Sequence, residues 1–538
     1  MSRFDRVALL FSILAILVSY WISERYYERL AHLEDEMAYV WQAQAAARGE
    51  LSVSSPPGGK GSFLYPFVID YQGLRFGKYP PGWPALLGFG ESLGMRSWVN
   101  PMLAGLAVWL IYCLGKRTLG EVVGLLAAGL TLTSPFFLVN SASLLSHPWG
   151  LALSTGFALS WLGAFGDQLA ASSPGLPGAS QARFTRLLHS PWLPTLAAAL
   201  AMGVLVMTRP FTALAIAIPF GLHGVYRLVR GGGNVRLRLL AFGGIVLAIS
   251  SLYFAWQYAV TGDPLLNPYT LWWEYDKIGF GPGYGHREQG HTLRQAWINT
   301  RFSLRAANFD LFGWPKITWI PLLFGLWAVL RYREKRLEAL LLSSVFPVLV
   351  ILYLAYWVGA SLYGPRYYYE GLYSVTLLAG AGFAWLAGWP VRPSQAYRAV
   401  GADSAAGRFT LRRLRPLLVT GLLALLVGFN LVFYLPARLN MMYGLYGVQR
   451  SHQEFFLSAA AQQLTPALVV VHPQKEWIEY GTLLELENPF LDTPFIFIYS
   501  RGAPIDARIA ANFPERTVYH YYPDEPYKLY SSPRPRRD

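Results

Sequence analysis

Apolar runs of roughly 17 to 25 residues, the length needed to cross a bilayer core of about 30 Å, recur along the whole chain. They fall near 7–23, 98–114, 119–140, 147–166, 193–208, 211–227, 238–259, 315–330, 338–358, 370–388 and 417–436, eleven stretches in all. Polar text interrupts them in two long segments, 24–97 and 260–314, and takes over after residue 436. The pair Arg209-Pro210 breaks what is otherwise one continuous apolar stretch. The pattern predicts an α-helical polytopic membrane protein with about eleven spans. A small α/β domain follows over 437–530, and the Pro- and charge-rich end, 531–538, is expected to be disordered. Within that domain a helix is expected near 449–464, and ALVVVHP and PFIFIYS read as buried strands.

Composition agrees. Of 538 residues 54% are hydrophobic and only 14% charged, against about 25% charged in soluble domains. The net charge of +14 has a location: the region from Ala437 onward is near balance, with ten basic and eleven acidic side chains. The excess therefore lies in the membrane part, where it reads as topology and anionic-lipid contact and excludes a nucleic-acid partner. Arg and Lys concentrate in alternate connections, at Arg3 and Arg6, Lys116 and Arg117, Arg183 and Arg186, Arg227 to Arg238, Arg331 to Arg336, and Arg392 to Arg415. By the positive-inside rule these connections are cytoplasmic. The N-terminus is then inside and the C-terminal domain outside. The first apolar run is too long for a signal peptide and lacks a cleavage site, so it reads as a true span. Cytoplasmic segments 167–192 and 390–416 read as flexible loops. The lone Cys113 sits in an apolar span as a small hydrophobe and permits no disulfide within the chain.

This orientation gathers the polar constellations on one side. Asp35 and Glu36 open a helical run straight after the first span, in EDEMAYVWQAQAAARGEL, and QGLRFGKYPPGWPALL follows. Acidic residues in a first helical turn also suit the helix dipole. Charges at a membrane surface are costly unless used. Pro80 and Pro81 set Lys78 at a loop-to-helix junction, with Trp83 to Leu93 as a second helix lying along the interface. His147 in SHPWG, Arg209 in MTRPF and Arg366 in YGPRYYYE fall on the same side, as does an aromatic-rich loop, 260–314. GHREQGH, with His286, Glu288 and His291, looks ligand-like but reads equally as an exposed polar loop. GFGPGYG follows no strand, which argues against a nucleotide loop.

The order DE-x-x-Y, then QGLRFGKYPPGWP, then many spans and an outer domain resembles polyprenyl-phosphate-dependent glycosyltransferases of the GT-C superfold. The similarity is to the glycosyltransferase family 39-like group, which includes protein O-mannosyltransferases and lipid A aminoarabinose transferases. The resemblance implies transfer of a sugar from a polyprenyl-phosphate donor to a lipid, glycan or protein hydroxyl, with inversion. It implies Asp35 as general base, Glu36 beside it as a positioning group, and Lys78 facing the donor phosphate. Adjacent helical residues point about 100° apart, so the two carboxylates cannot act as twins. Arg366 and Arg209 are further phosphate candidates, Arg being suited to bidentate contact. Tyr39, His147 and Tyr367 are candidates for substrate contact. His147 departs from the acidic residue that many relatives carry at the outer start of this span, and it reads either as an acceptor-orienting group or as a hydrogen-bonded helix start. No ligand spacing marks a dedicated metal site, and a divalent metal cofactor stays open. A lipid-linked sugar flippase is the alternative function. Transporters keep their polar groups near the midplane, whereas these cluster at one face.

Overall fold

The computed structural model describes residues 1–57, 61–166, 190–332, 335–391, 411–474 and 477–535. Most of the two expected flexible loops, and residues 536–538, lie outside them. Each of the eleven apolar stretches is helical. Arg3–Arg25 (α1) leads to α2 (Glu34–Ala47) and α3 (Gly82–Ser92), then α4 (Arg96–Thr118), α5 (Glu121–Leu132), α6 (Pro135–Ser141) and α7 (His147–Phe165). Next come α8 (Trp192–Thr208), α9 (Pro210–Arg230), α10 (Gly233–Thr261), α11 (Pro268–Trp272) and α12 (Leu293–Asp310). The bundle ends with α13 (Ile320–Arg331), α14 (Arg336–Leu352), α15 (Leu372–Ala387), α16 (Leu411–Phe429) and α17 (Leu435–Asn440).

Among the described residues, six helical stretches are individually long and apolar enough to cross a bilayer, and the pair α5–α6 makes a seventh if its 61° bend is one broken span. The bend has a local cause. Pro135 cannot extend the preceding hydrogen-bond ladder, and the Ser134 hydroxyl caps the new helix by accepting from Phe137 N. Helices α7 and α15 are buried over most of their length, so their sequences are set by neighbours as much as by lipid. At Arg209-Pro210 the long apolar stretch divides as expected, with Arg209 ending α8 and Pro210 opening α9.

The first long connection is more ordered than its sequence promised. After α2 the chain forms a three-stranded antiparallel sheet in the order β1–β3–β2, from Val53–Ser54, Val68–Tyr71 and Leu74–Gly77. Gln72 and Gly73 turn the hairpin with φ of 50° and 82°, the two left-handed positions that a tight two-residue hairpin requires. Strand β3 delivers Lys78 at its end, and Pro81 then caps α3. The packing here is close. A Cβ at Gly77 would collide with Gln42 of α2, and one at Gly88 with the Ala43 carbonyl. Small residues thus let α2, β3 and α3 form one rigid unit.

The C-terminal domain is a four-stranded sheet, order β5–β4–β6–β7, with β4 (Ala467–Val471), β5 (Phe495–Tyr499) and β6 (Thr517–Tyr521) parallel and β7 (Leu529–Tyr530) antiparallel. All five β4 residues are buried, the mark of a parallel strand covered on both faces. The expected helix over 449–464 is split at Ser458 into Ser451–Leu457 and Ala459–Gln462, with the Ser458 hydroxyl capping the second piece. Arg534, placed by sequence in a disordered tail, is ordered. It pairs with Asp524 and Glu525 and covers the Tyr522 ring at 3.8 Å. The domain grips the first connection through Glu485, which accepts from Ala31 N (3.0 Å) and pairs with Arg96 at 2.7 Å. Tyr499 N also donates to Ser62 O at 2.7 Å.

Candidate active site

A cavity of about 570 Å³ opens where the start of α2, the end of β3, the α8–α9 junction and the loop after α11 meet. Eleven of its lining residues are aromatic, among them Tyr39, Tyr79, Tyr269, Trp273, Tyr353 and Tyr367. Among the described residues it reaches one helix that is nearly uncovered by protein, α10, through Tyr253. The cavity therefore joins a polar end to the lipid-facing side of the bundle.

Asp35 enters from the first turn of α2 and is held from two sides. The Tyr79 hydroxyl donates to its Oδ1, and Arg366 Nη2 lies 3.2 Å from its Oδ2. Burial pushes its pKa up, but Arg366 and Lys78 outweigh that and hold the carboxyl below the usual carboxylate range. It is ionised at neutral pH.

Glu36 points away from the cavity. Its Oε1 accepts from Leu144 N at 2.7 Å, and its Oε2 from His32 N and Leu33 N at 3.0 Å and from the Tyr363 hydroxyl at 3.2 Å. It thus fixes the start of α2 and the 142–146 turn, the same turn that accepts from Trp83 and Asn100. Burial pushes its pKa up to about 7. The 100° offset between neighbours on a helix separates the two acids: one faces the cavity, the other the scaffold.

Lys78 is nearly buried. Its Nζ lies 3.4 Å from Asp276 Oδ2 and 3.5 Å from the Phe67 ring centre, with the Tyr269 and Trp273 rings at 5.1 Å and Tyr79 at 5.3 Å. Aromatic faces attract an ammonium, so the box keeps the charge in place, although burial lowers the lysine's pKa. Asp276 also accepts from Trp357 Nε1 at 3.1 Å and from the Tyr356 hydroxyl at 3.3 Å.

Arg209 reaches the cavity from the α8–α9 junction. It donates to Ser146 Oγ, which also bonds the Tyr39 hydroxyl, and pairs with Glu370 at 3.0 Å. Tyr367 lines the cavity, stacked on Tyr353 at 5.1 Å. His147 does not reach it. It is the first residue of α7, buried, with Nδ1 3.1 Å from Glu370, so Glu370 bridges His147 and Arg209. The hydrogen-bonded helix start is the arrangement found.

The structure thus brings Asp35, Lys78, Arg209, Arg366, Tyr39 and Tyr367 to one cavity and leaves Glu36 and His147 behind its wall. Sequence reasoning missed Asp276, Glu370 and Tyr79; Asp276 lies in a loop with no spacing signal, while Glu370 closes the quoted YGPRYYYE, in a short 3-10 helix over Arg366–Gly371. Tyr79 was within the quoted lysine motif. Among the described residues no group of three or more His, Cys, Asp and Glu is placed to hold a metal ion. His291 is instead buried with Nε2 2.9 Å from Leu354 O.

No family model and no curated protein matches the chain. Solved structures do. ArnT from Cupriavidus metallidurans bound to undecaprenyl phosphate is similar at TM-score 0.55 and 15% identity, over 96% of this chain and 90% of that one. Its apo state gives a TM-score of 0.54 at the same identity and coverage. The archaeal oligosaccharyltransferase AglB from Archaeoglobus fulgidus, in complex with an inhibitory peptide and a dolichol-phosphate, gives 0.50 at 13% identity. That likeness covers 92% of this chain and 65% of that one. The resemblance drawn from the acidic pair and the lysine motif therefore extends to the whole architecture: the chain has the GT-C fold.

Proposed function

We propose that this protein is a membrane glycosyltransferase that moves a sugar from a polyprenyl-phosphate donor to a hydroxyl acceptor. The observation that carries the reading is the placement of Asp35, paired with Arg366 and sharing with Lys78 and Arg209 an aromatic cavity that touches the lipid-facing helix α10. The structures it resembles add weight, since their descriptions name undecaprenyl phosphate and dolichol-phosphate as bound lipids.

Each group has a task. The donor phosphate sits against Lys78 and the arginines, whose fixed charge stabilises the phosphate as it departs. The acceptor hydroxyl attacks the anomeric carbon while Asp35 takes its proton. The bond from that carbon to the phosphate oxygen breaks, leaving polyprenyl phosphate and an inverted glycoside. Aromatic walls stack on the sugar ring and keep water out. Sequence charge places this end of the bundle, with the C-terminal domain, on the extracytoplasmic side.

Purified protein incubated with radiolabelled polyprenyl-phosphate sugars and membranes tests the proposal. Label passing from donor to a membrane acceptor supports it. No transfer from any donor of a panel that spans hexoses and pentoses overturns it.

A further inference from the structure

We infer that Asp276 makes the Lys78 site prefer a singly charged phosphodiester over a doubly charged phosphomonoester, and so favours release of the spent lipid phosphate. The inference rests on the proposed transfer reaction. In that reaction the donor carries one negative charge on its diester. After the carbon–oxygen bond breaks, the leaving group is a monoester whose second ionisation lies near pH 6. The acceptor proton ends on Asp35, so the added negative charge appears on the phosphate. Substrate and product thus differ by one charge beside Lys78.

Lys78 does not meet that charge alone. Its ammonium is already balanced by Asp276, and both side chains are almost wholly buried, 4% and 2% exposed. Asp276 is also fixed. One oxygen takes Lys78, while the other accepts from Trp357 Nε1 and the Tyr356 hydroxyl. The loop that carries it is strapped to the 353–358 segment, with Ile278 bridged to Tyr356 and Gly279 N donating to Ala355 O. A carboxylate held this way cannot swing out when a phosphate arrives. A lysine has three donor hydrogens, so a phosphate can share it with Asp276, but every added phosphate charge is repelled by that neighbour. The other charges facing this point are Glu34 and Asp35 from α2, Arg366, Arg209 and Lys277. Asp35 takes up the transferred proton, which leaves Glu34 and Asp276 as the acidic neighbours facing the product, and of these Asp276 is the one in direct contact with Lys78.

Competition binding to the intact protein in nanodiscs tests this without knowledge of the sugar. The probes are a polyprenyl phosphate and its methyl phosphodiester of the same chain length. The wild type is expected to prefer the diester at pH 8 and to lose most of that preference at pH 5.5, where the monoester is mainly singly charged. Asp276→Asn is expected to reduce the pH 8 preference by about tenfold while changing diester affinity less. Where Asp276→Asn does not fold, Trp357→Phe, which removes one donor holding Asp276, should shift the ratio the same way by a smaller factor. A ratio in the wild type that stays flat between pH 5.5 and 8, or one unchanged in the variants, overturns the role of Asp276 and leaves the transferase reading standing. Failure of the wild type to bind either lipid overturns both.

Discussion

Asp35 and Arg366 lie 331 residues apart in sequence and 3.2 Å apart in the cavity. The contact ties the start of α2 to the entrance of α15, and it decides the protonation state of the proposed base. Arg366→Gln removes the largest influence holding Asp35 below the carboxylate range. A depressed carboxyl loses its proton early, so the wild-type rate should hold until the pH drops below the ordinary carboxylate range. In Arg366→Gln the acid limb of the rate profile should move to higher pH. Profiles of kcat/KM carried to the lowest pH at which the protein stays folded check this, and coincident acid limbs would contradict it.

The Lys78–Asp276 pair makes single and double substitutions diverge. Lys78→Met leaves a buried carboxylate without its partner, which costs about 3–5 kcal/mol when a buried pair is broken on one side. Lys78→Met with Asp276→Asn should recover much of that stability. Donor binding should remain weak in both, by roughly 1.5–3 kcal/mol for the lost phosphate contact. Thermal unfolding and lipid-phosphate binding, measured side by side, separate the two effects. A double variant no more stable than the single one would show that the pair is not coupled.

Glu36 supports the site without entering it. Glu36→Gln replaces an acceptor of four hydrogen bonds by a group with its own N–H donors, and should destabilise the fold by about 1–3 kcal/mol. Surviving folded protein should keep its KM for donor. The pH dependence has a definite sign. With its pKa raised from the ordinary value to about 7, Glu36 takes up a proton on folding. Its stabilising contribution is full below about pH 4.5 and is lost as pH rises through 7. Melting curves from pH 5 to 8 should therefore decline less steeply in Glu36→Gln than in wild type.

The membrane orientation is testable apart from the chemistry. In a Cys113→Ala background, single cysteines at Gln72 and Tyr527 should react with an impermeant reagent from outside intact cells. One at Arg236, in the first turn of the 29-residue helix α10, should not. Labelling of residues 72 and 236 from the same side would overturn the charge-based topology.

Much of this was readable in the sequence where physics leaves a local trace. Apolar length marked the eleven stretches that become helical, though not the break that splits 119–140 into two helices. The Pro pair after Lys78 marked the junction before α3, and Arg209-Pro210 marked a helix break. The hairpin β2–β3 left a trace too, since Gln72-Gly73 between two four-residue strands is a two-residue turn, but strands so short were hidden inside a long polar connection. Asp276 left none, and Glu370, though it closes the quoted YGPRYYYE, carried no sign of its partners. Asp276 meets Lys78 across 198 residues and Glu370 meets His147 across 223, and only the packed bundle brings them together. For the same reason the sequence could show that Asp35 and Glu36 differ without showing which one the scaffold would claim.

The central claim is that Asp35 takes the acceptor proton, and single-turnover transfer by Asp35→Asn with saturating donor tests it most directly. The amide is nearly the same shape and cannot accept the proton. The account predicts donor binding at wild-type strength or somewhat tighter, because a negative charge near the phosphate is removed. It predicts a transfer rate lower by at least about 100-fold. Transfer close to the wild-type rate would contradict it and remove the base from Asp35.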